Sequence, residues 1–147
     1  MQIEGVVISP LKQISDERGK VMHMLRRDDP DFEQFGEIYF SMVYPQAIKA
    51  WRLHTTATLN YAVVTGTIRL VLYDQRPQSS TYGIVQVIVT GEKNYVRIKI
   101  PPGIVYGFKG LGTVPAIVAN CATLPHDPLE GRRFDPFSEE IPYNWNQ

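Results

Sequence analysis

The stretch Thr67-Ile68-Arg69-Leu70-Val71-Leu72-Tyr73-Asp74 decides the fold, because its alternation is typical of a β-strand. Successive side chains of a strand point to opposite faces. One face therefore carries Ile68, Leu70, Leu72 and Asp74. Because that face is apolar up to its last residue, we expect it to pack on a core. A carboxylate that points inward is costly unless a partner compensates its charge, so we expect Asp74 to be paired.

A second segment, Ile48-Lys49-Ala50-Trp51-Arg52-Leu53-His54, also reads as a strand and ends in a histidine. A histidine held by an inward carboxylate can move a proton near neutral pH. We therefore predict that His54 and Asp74 form a catalytic pair acting on a proton next to a carbonyl. Simple alternation places Ile48, Ala50, Arg52 and His54 on a common face. Arg52 could stabilise an oxyanion there, or bind phosphate in bidentate fashion.

Short segments with strand character, separated by turn signals, fill the chain. Strands are predicted at 19–26, 36–44, 48–54, 59–65, 67–74, 84–89, 95–100, 105–109 and 116–122. Many short strands at near-regular spacing favour an all-β sandwich or barrel of the jelly-roll kind. One helical turn is expected over residues 30–34, and the tail from Pro125 is expected to be ordered coil with one further helical turn.

Length and composition favour one domain over residues 1–147. Lysine plus arginine equals aspartate plus glutamate, 15 each, so no basic excess supports nucleic-acid binding. The single cysteine, Cys121, cannot form an internal disulfide and reads as a buried structural thiol, which favours a reducing compartment. No apolar run approaches the ~20 residues of a membrane span, and the amino terminus lacks a signal-peptide pattern. We expect a cytoplasmic, soluble protein without membrane contact.

Short motifs follow one another at characteristic gaps from about residue 16 to 145. They are Asp16-Glu17-Arg18-Gly19, Trp51-Arg52-Leu53-His54, Asp74-Gln75-Arg76, Ser79-Ser80-Thr81-Tyr82-Gly83, Ile100-Pro101-Pro102-Gly103-Ile104-Val105-Tyr106-Gly107-Phe108 and Ile141-Pro142-Tyr143-Asn144-Trp145. In this order they resemble the dTDP-4-dehydrorhamnose 3,5-epimerase family of the cupin superfamily. The resemblance implies a cupin-type jelly-roll β-barrel that acts on a nucleoside-diphosphate 4-keto-6-deoxysugar and needs no metal or other cofactor.

The resemblance also assigns roles to individual residues. It implies that His54 is the base and Asp74 its carboxylate partner. It implies a homodimer that exchanges amino-terminal strands, so that Arg18 reaches into the neighbour's site. We expect the substrate to be contacted by Arg18, Trp51, Arg52, Arg76 and Asn120. Packing is the commoner role of a tryptophan such as Trp51, and a platform for the nucleobase is the alternative.

Several positions depart from the family pattern. No tyrosine stands near residues 124–125, where the family has its tyrosine acid, and Leu59 occupies the place of its lysine. Tyr106 replaces a family histidine and could supply the lost acid; His126 and water are the other options. Three functions therefore stay open: a His-based epimerase in deoxysugar or cell-surface polysaccharide biosynthesis, a 3,4-ketoisomerase, or a non-catalytic sugar-nucleotide-binding cupin.

A metal site is not expected from the histidine pattern. His23, His54 and His126 are scattered, and two threonines follow His54, so the chain has no His-x-His pair. A first-row metal needs about three converging imidazole or carboxylate ligands.

Overall fold

Twelve β-strands make up the regular structure in the computed structural model, which describes residues 1–146. They are β1 (Val7–Pro10), β2 (Gln13–Asp16), β3 (Gly19–Met22), β4 (Glu37–Val43), β5 (Ile48–Leu53), β6 (Leu59–Thr65), β7 (Thr67–Asp74), β8 (Val85–Gly91), β9 (Val96–Ile100), β10 (Ile104–Leu111), β11 (Ala116–Ala122) and β12 (Arg132–Arg133). No helix capable of crossing a lipid bilayer occurs in this part of the chain.

The strands form two five-stranded antiparallel sheets and one hairpin. The first sheet has the order β1-β9-β6-β11-β4, and the second has the order β12-β5-β10-β7-β8. The hairpin pairs β2 with β3. This arrangement confirms the predicted all-β jelly-roll barrel. All nine predicted strands are present: β6, β7 and β11 have the predicted bounds, and the other six have shifted ends. Neither β1, β2 nor β12 was predicted.

The helical turn predicted over residues 30–34 is wrong. Two consecutive turns take its place: the Asp29 N–H donates to the Arg26 carbonyl, and the Phe32 N–H donates to the Asp29 carbonyl. The buried guanidinium of Arg97 binds the carboxylates of Asp29 and Asp31, at 3.2 and 2.6 Å. These ion pairs attach the segment to β9 of the first sheet. The tail likewise has turns and the short strand β12 where one helical turn was predicted.

The predicted inward face of β7 is confirmed. Ile68, Leu70 and Leu72 are completely buried between the two sheets, together with the inner residues of β6, β9 and β10. A second apolar cluster lies on the outer side of the second sheet, where Trp51 packs against Trp145 of the tail with ring centroids 4.9 Å apart. The tail is therefore part of the core.

A bulge in β5 changes which side chains face inward. The register of β5 with β10 shifts so that Arg52 lies opposite Tyr106 and Lys49 lies opposite Phe108. A bulge adds one residue to one strand and re-aims the side chains beyond it. The expected common face of Ile48, Ala50, Arg52 and His54 is therefore wrong: Arg52 lies opposite Tyr106, whereas Ile48 and Ala50 pack against the cluster on the outer side of the sheet. Gly107 permits the close approach, since a Cβ there would lie 2.5 Å from the Cβ of Ala50.

Replacing Trp145 with alanine tests the contribution of the tail. Trp145 has no exposed surface, and emptying a site of this size typically costs about 3–5 kcal/mol. We expect Trp145→Ala to lower the free energy of unfolding by that amount in a denaturant titration. Leu129→Ala, at a tail residue that is 92% exposed, should change it by less than about 0.5 kcal/mol. Equal effects of the two variants would contradict a core role for the tail.

Candidate active site

A cavity of about 610 Å³ opens between the two sheets. Its size suits a small organic ligand, since such sites commonly measure about 300–1,000 Å³. The aromatic residues that line it are Tyr39, Trp51, Tyr61, Tyr106, Phe108 and Phe134, and the cationic ones are Lys49, Arg52 and Arg133. Aromatic walls with a few cations fit a ligand that has both flat rings and negative charge.

His54 lies in a small recess beside this cavity, and both of its ring nitrogens are hydrogen-bonded. The Nδ1 atom lies 2.7 Å from Oε1 of Glu130, and the Nε2 atom lies 2.9 Å from the hydroxyl oxygen of Tyr106. The rings of His54 and Tyr106 are stacked at 16°. The three side chains form a continuous chain from a carboxylate to the wall of the cavity.

The charge on Glu130 determines which nitrogen of His54 carries the hydrogen. Partial burial alone would raise the pKa of Glu130. Hydrogen bonds from His54 and from the backbone N–H groups of Thr56 and Ala57 outweigh it and lower the pKa to about 2. A charged carboxylate only accepts hydrogen bonds, so Nδ1 must donate to Glu130. Nε2 of the neutral ring is then an acceptor, and the Tyr106 hydroxyl donates to it.

Tyr106 faces the cavity as a neutral phenol. Its burial raises its pKa to about 12, because the phenolate form would lose hydration; the positive charge of Arg52 opposes this only in part. The hydroxyl occupies the free electron pair of His54 Nε2. A proton that leaves a ligand in the cavity can therefore reach His54 through the oxygen of Tyr106.

The short strand β12 places Glu130 beside His54. Arg132 pairs with Leu53 at the end of β5, directly before His54. Gly131 makes this possible, because it adopts a φ of +92° and a Cβ there would lie 2.5 Å from the Leu53 carbonyl oxygen. The second oxygen of Glu130 accepts hydrogen bonds from the backbone N–H groups of residues 55–57. The only signal for Glu130 in the sequence is that an acidic residue stands directly before a glycine.

The predicted pairing of His54 with Asp74 is wrong. Asp74 is fully buried as expected, but its carboxylate binds Arg76 at 2.9 Å and the hydroxyls of Ser79 and Thr81 at 2.6 Å. Strand β10 separates its strand from that of His54. The loop after β7 folds back, so that the guanidinium of Arg76, two residues further along the chain, contacts the carboxylate of Asp74. Arg76, expected to bind substrate, is engaged in this pair and does not line the cavity.

The other predicted substrate contacts have different surroundings. Arg52 lines the cavity. Trp51 borders it, but this side chain is only 1% exposed and packs in the outer cluster, so we no longer expect it to serve as an open stacking platform. Asn120 is buried, and its amide donates to the hydroxyl of Tyr39 at 3.0 Å. Tyr39, rather than Asn120, lines the cavity. Arg18 is exposed in the β2–β3 hairpin and pairs with Asp16, away from this cavity.

Strand β4 carries cavity residues that hydrophobic alternation hides. Its polar positions 37, 39 and 41 line the cavity. Its apolar positions point outward, with Ile38 50%, Phe40 66% and Met42 48% exposed. A prediction based on hydrophobicity alone would therefore assign the two faces of this strand the wrong way round. Lys49, whose Nζ donates to the Ser41 hydroxyl at 3.0 Å, was missed because the β5 bulge cannot be read from the sequence.

Within residues 1–146, no three histidine, cysteine, aspartate or glutamate side chains converge as a metal site would require. The donors available around the cavity are those of proton transfer and anion binding.

Comparison with known proteins agrees with the geometry. The family model for dTDP-4-dehydrorhamnose 3,5-epimerase matches residues 1–147. The spore coat polysaccharide biosynthesis protein SpsL of Bacillus subtilis is 34% identical over 146 residues, 98% of this chain and 97% of that protein. The probable low-salt glycan biosynthesis epimerase Agl13 of Haloferax volcanii is 34% identical over 97% of this chain and 89% of its own. The crystal structure of a dTDP sugar isomerase from Desulfovibrio desulfuricans is 46% identical, with a TM-score of 0.96, covering 98% of this chain and 92% of that one.

Replacing Asp74 with asparagine tests whether this carboxylate serves stability. Burial would raise its pKa, but the hydrogen bonds from Arg76, Ser79 and Thr81 lower it well below the ordinary 3.8. Such a group stabilises the fold fully above its unfolded pKa, and the gain is lost as the pH falls from that value through the folded pKa. We expect Asp74→Asn to lose about 3 kcal/mol at pH 7, since the partly buried guanidinium of Arg76 then lacks its carboxylate partner.

The loss should shrink in denaturant titrations as the pH falls below about 4, because the unfolded wild-type chain then binds a proton at Asp74 that the folded chain does not. Glu139→Gln, at an exposed position, is the matched control and should follow the wild type. A constant difference between Asp74→Asn and wild type down to pH 2 would contradict this assignment.

Proposed function

The chain belongs to the dTDP-4-dehydrorhamnose 3,5-epimerase family, and from that membership we propose that it epimerises a nucleoside-diphosphate 4-keto-6-deoxysugar. The observation that carries the proposal is the hydrogen-bonded series Glu130–His54–Tyr106 at the cavity wall. It offers an imidazole whose Nε2 is bonded to the Tyr106 hydroxyl, so that a proton removed beside a ketone can pass to His54 through the Tyr106 oxygen.

The proposed reaction begins with removal of a hydrogen from the carbon next to the C4 ketone. The oxygen of Tyr106 takes this proton while its own hydroxyl proton passes to Nε2 of His54. The electrons of the C–H bond form an enolate, and the ketone oxygen becomes negative. Glu130 stabilises the imidazolium that results, as a positioning residue. General acid–base assistance of this kind is worth about 10²–10⁴-fold in rate.

The cations of the cavity support binding of the rest of the substrate. Arg52 lies opposite Tyr106 in the sheet register, where it can stabilise the enolate oxygen. Lys49 and Arg133 line the same cavity and can neutralise a diphosphate. The aromatic side chains beside them provide surfaces for the sugar and the nucleobase.

The names of two relatives support a place for this reaction in the supply of deoxysugars for cell-surface polysaccharides. One is a spore coat polysaccharide biosynthesis protein and the other a probable glycan biosynthesis epimerase. We keep the cytoplasm as the expected compartment, since Cys121 is a free thiol.

A homodimer forms part of the proposal. Strand β4 lies at the free edge of the first sheet, and its outer face exposes Ile38, Phe40 and Met42. Edge strands and exposed apolar patches are typical sites of association. The β2–β3 hairpin exposes the apolar side chains of Ile14 and Val21. Exchange of the amino-terminal strands would bring these surfaces together and carry Arg18 to the neighbour's cavity.

Deuterium incorporation tests the proposed chemistry. The wild-type protein in heavy water should place deuterium at C3 or C5 of dTDP-4-keto-6-deoxyglucose, as followed by NMR. His54→Ala should slow incorporation by at least about 10²-fold, because the chain then lacks its base. Glu139→Gln should exchange at the wild-type rate. If the wild type incorporates no deuterium into any of several dTDP-4-keto-6-deoxysugars, the proposal fails; a product with its ketone moved to C3 would indicate a 3,4-ketoisomerase instead.

Complementation tests the proposed exchange between subunits. Arg18→Ala and His54→Ala should each be inactive alone. A mixture refolded at equal amounts should regain about a quarter of the wild-type activity, because half of the dimers are mixed and each mixed dimer has one intact site. Sedimentation of the wild type as a dimer is the accompanying control. A monomer in solution, or a mixture as inactive as its parts, would contradict the shared site.

A further inference from the structure

Three inward side chains form a row across the first sheet. Asn120 on β11 lies directly opposite Tyr39 on β4 and directly opposite Tyr61 on β6. Both tyrosines line the cavity, while Asn120 is 1% exposed behind them. The row therefore presents Tyr39 to the cavity from a wall that His54 and Tyr106 do not belong to.

The amide of Asn120 has a defined orientation. Its Oδ1 accepts the backbone N–H of Asn60 at 3.2 Å, so its Nδ2 faces Tyr39 and donates to the hydroxyl oxygen at 3.0 Å. An amide NH₂ group can only donate. The Tyr39 oxygen is therefore an acceptor in this bond, and its own hydrogen remains available to a group in the cavity.

Tyr39 and the His54–Tyr106 pair stand on opposite walls. His54 and Tyr106 belong to the second sheet, and Tyr39 belongs to the first, facing it. Tyr39 also borders the recess that contains His54, together with Leu124 and Pro125. A ligand between the sheets would thus have one proton-transfer group on each side.

We propose that Tyr39, held by Asn120, is the general acid that returns the proton to the opposite face of the carbon. This inference rests on the proposed epimerase function. The enolate carbon takes the hydroxyl proton of Tyr39, the C–H bond forms from the enolate electron pair, and the ketone is restored. The tyrosinate left behind regains a proton from water, and the imidazolium of His54 releases one, so protons and charge balance over the cycle.

The competing residue for this role is His126. It lines the same cavity and recess, but it is an exposed residue, and the bond that holds it runs from its backbone N–H to a carboxylate oxygen of Glu37 rather than from its ring. Tyr39 instead has a buried, fixed amide that orients its hydroxyl. The geometry favours Tyr39, and His126 becomes an outcome of the experiment.

The experiment separates exchange of the hydrogen from inversion of the carbon. With dTDP-4-keto-6-deoxyglucose in heavy water, Tyr39→Phe should still incorporate deuterium within about tenfold of the wild-type rate, because abstraction on the other wall is intact. Formation of the inverted sugar should fall by about 10²–10⁴-fold, as expected for loss of a general acid. Ring couplings in the NMR spectrum distinguish retained from inverted carbons. Tyr82→Phe, at an exposed tyrosine, is the matched control for both rates.

A second variant covers the case in which Tyr39→Phe does not fold. Replacing Tyr39 with 3,5-difluorotyrosine keeps its shape and lowers the pKa of the phenol, so the alkaline limb of the inversion rate should move to lower pH while exchange is unaffected. Inversion at the wild-type rate in Tyr39→Phe, or its selective loss in His126→Asn, would overturn the inference. Parallel loss of exchange and inversion in a folded Tyr39→Phe would also overturn it. A wild type without any exchange would overturn the proposed function first, and this inference with it.

Discussion

The hydrogen bond between Glu130 and His54 is the interaction on which the site depends. One carboxylate oxygen holds the imidazole, and the other holds three backbone N–H groups of the loop after β5. The same carboxylate therefore fixes the tautomer of His54, the course of the loop and the position of the tail. Buried charge requires this degree of satisfaction, since an incompletely bonded carboxylate would lose its charge or its place.

A second buried carboxylate, Asp74, has the complementary task. It gathers Arg76, Ser79 and Thr81 into a compact loop, and Arg76 also donates to the Glu4 carbonyl near the amino terminus. None of these groups lines the cavity. The barrel thus holds one buried and one partly buried carboxylate for different purposes: Asp74 orders the loop beside the amino terminus, and Glu130 orients the imidazole of His54.

Much of the architecture could be predicted from the sequence, but the partners of the site could not. The alternation along β7 placed its buried face correctly, because a half-buried strand has a strict period of two. That period assigns a face and says nothing about which distant residue meets Asp74. Glu130 lies in a tail without periodicity, the β5 bulge interrupts the alternation, and β4 turns its polar residues inward because a ligand cavity, rather than a core, lies behind it. Each of these predictions failed at residues that shape the cavity rather than pack in the core.

Because β12 pairs with β5, the site around His54 is complete only when the end of the chain is in place. Residues 130–145 leave the ribosome after every strand of the two sheets except β12 itself, and only their docking supplies the carboxylate that holds the imidazole. A nascent barrel without this segment would have an open cavity and an unheld histidine. Under the proposed mechanism, His54 is therefore oriented for proton transfer only after the last segment has docked on the second sheet.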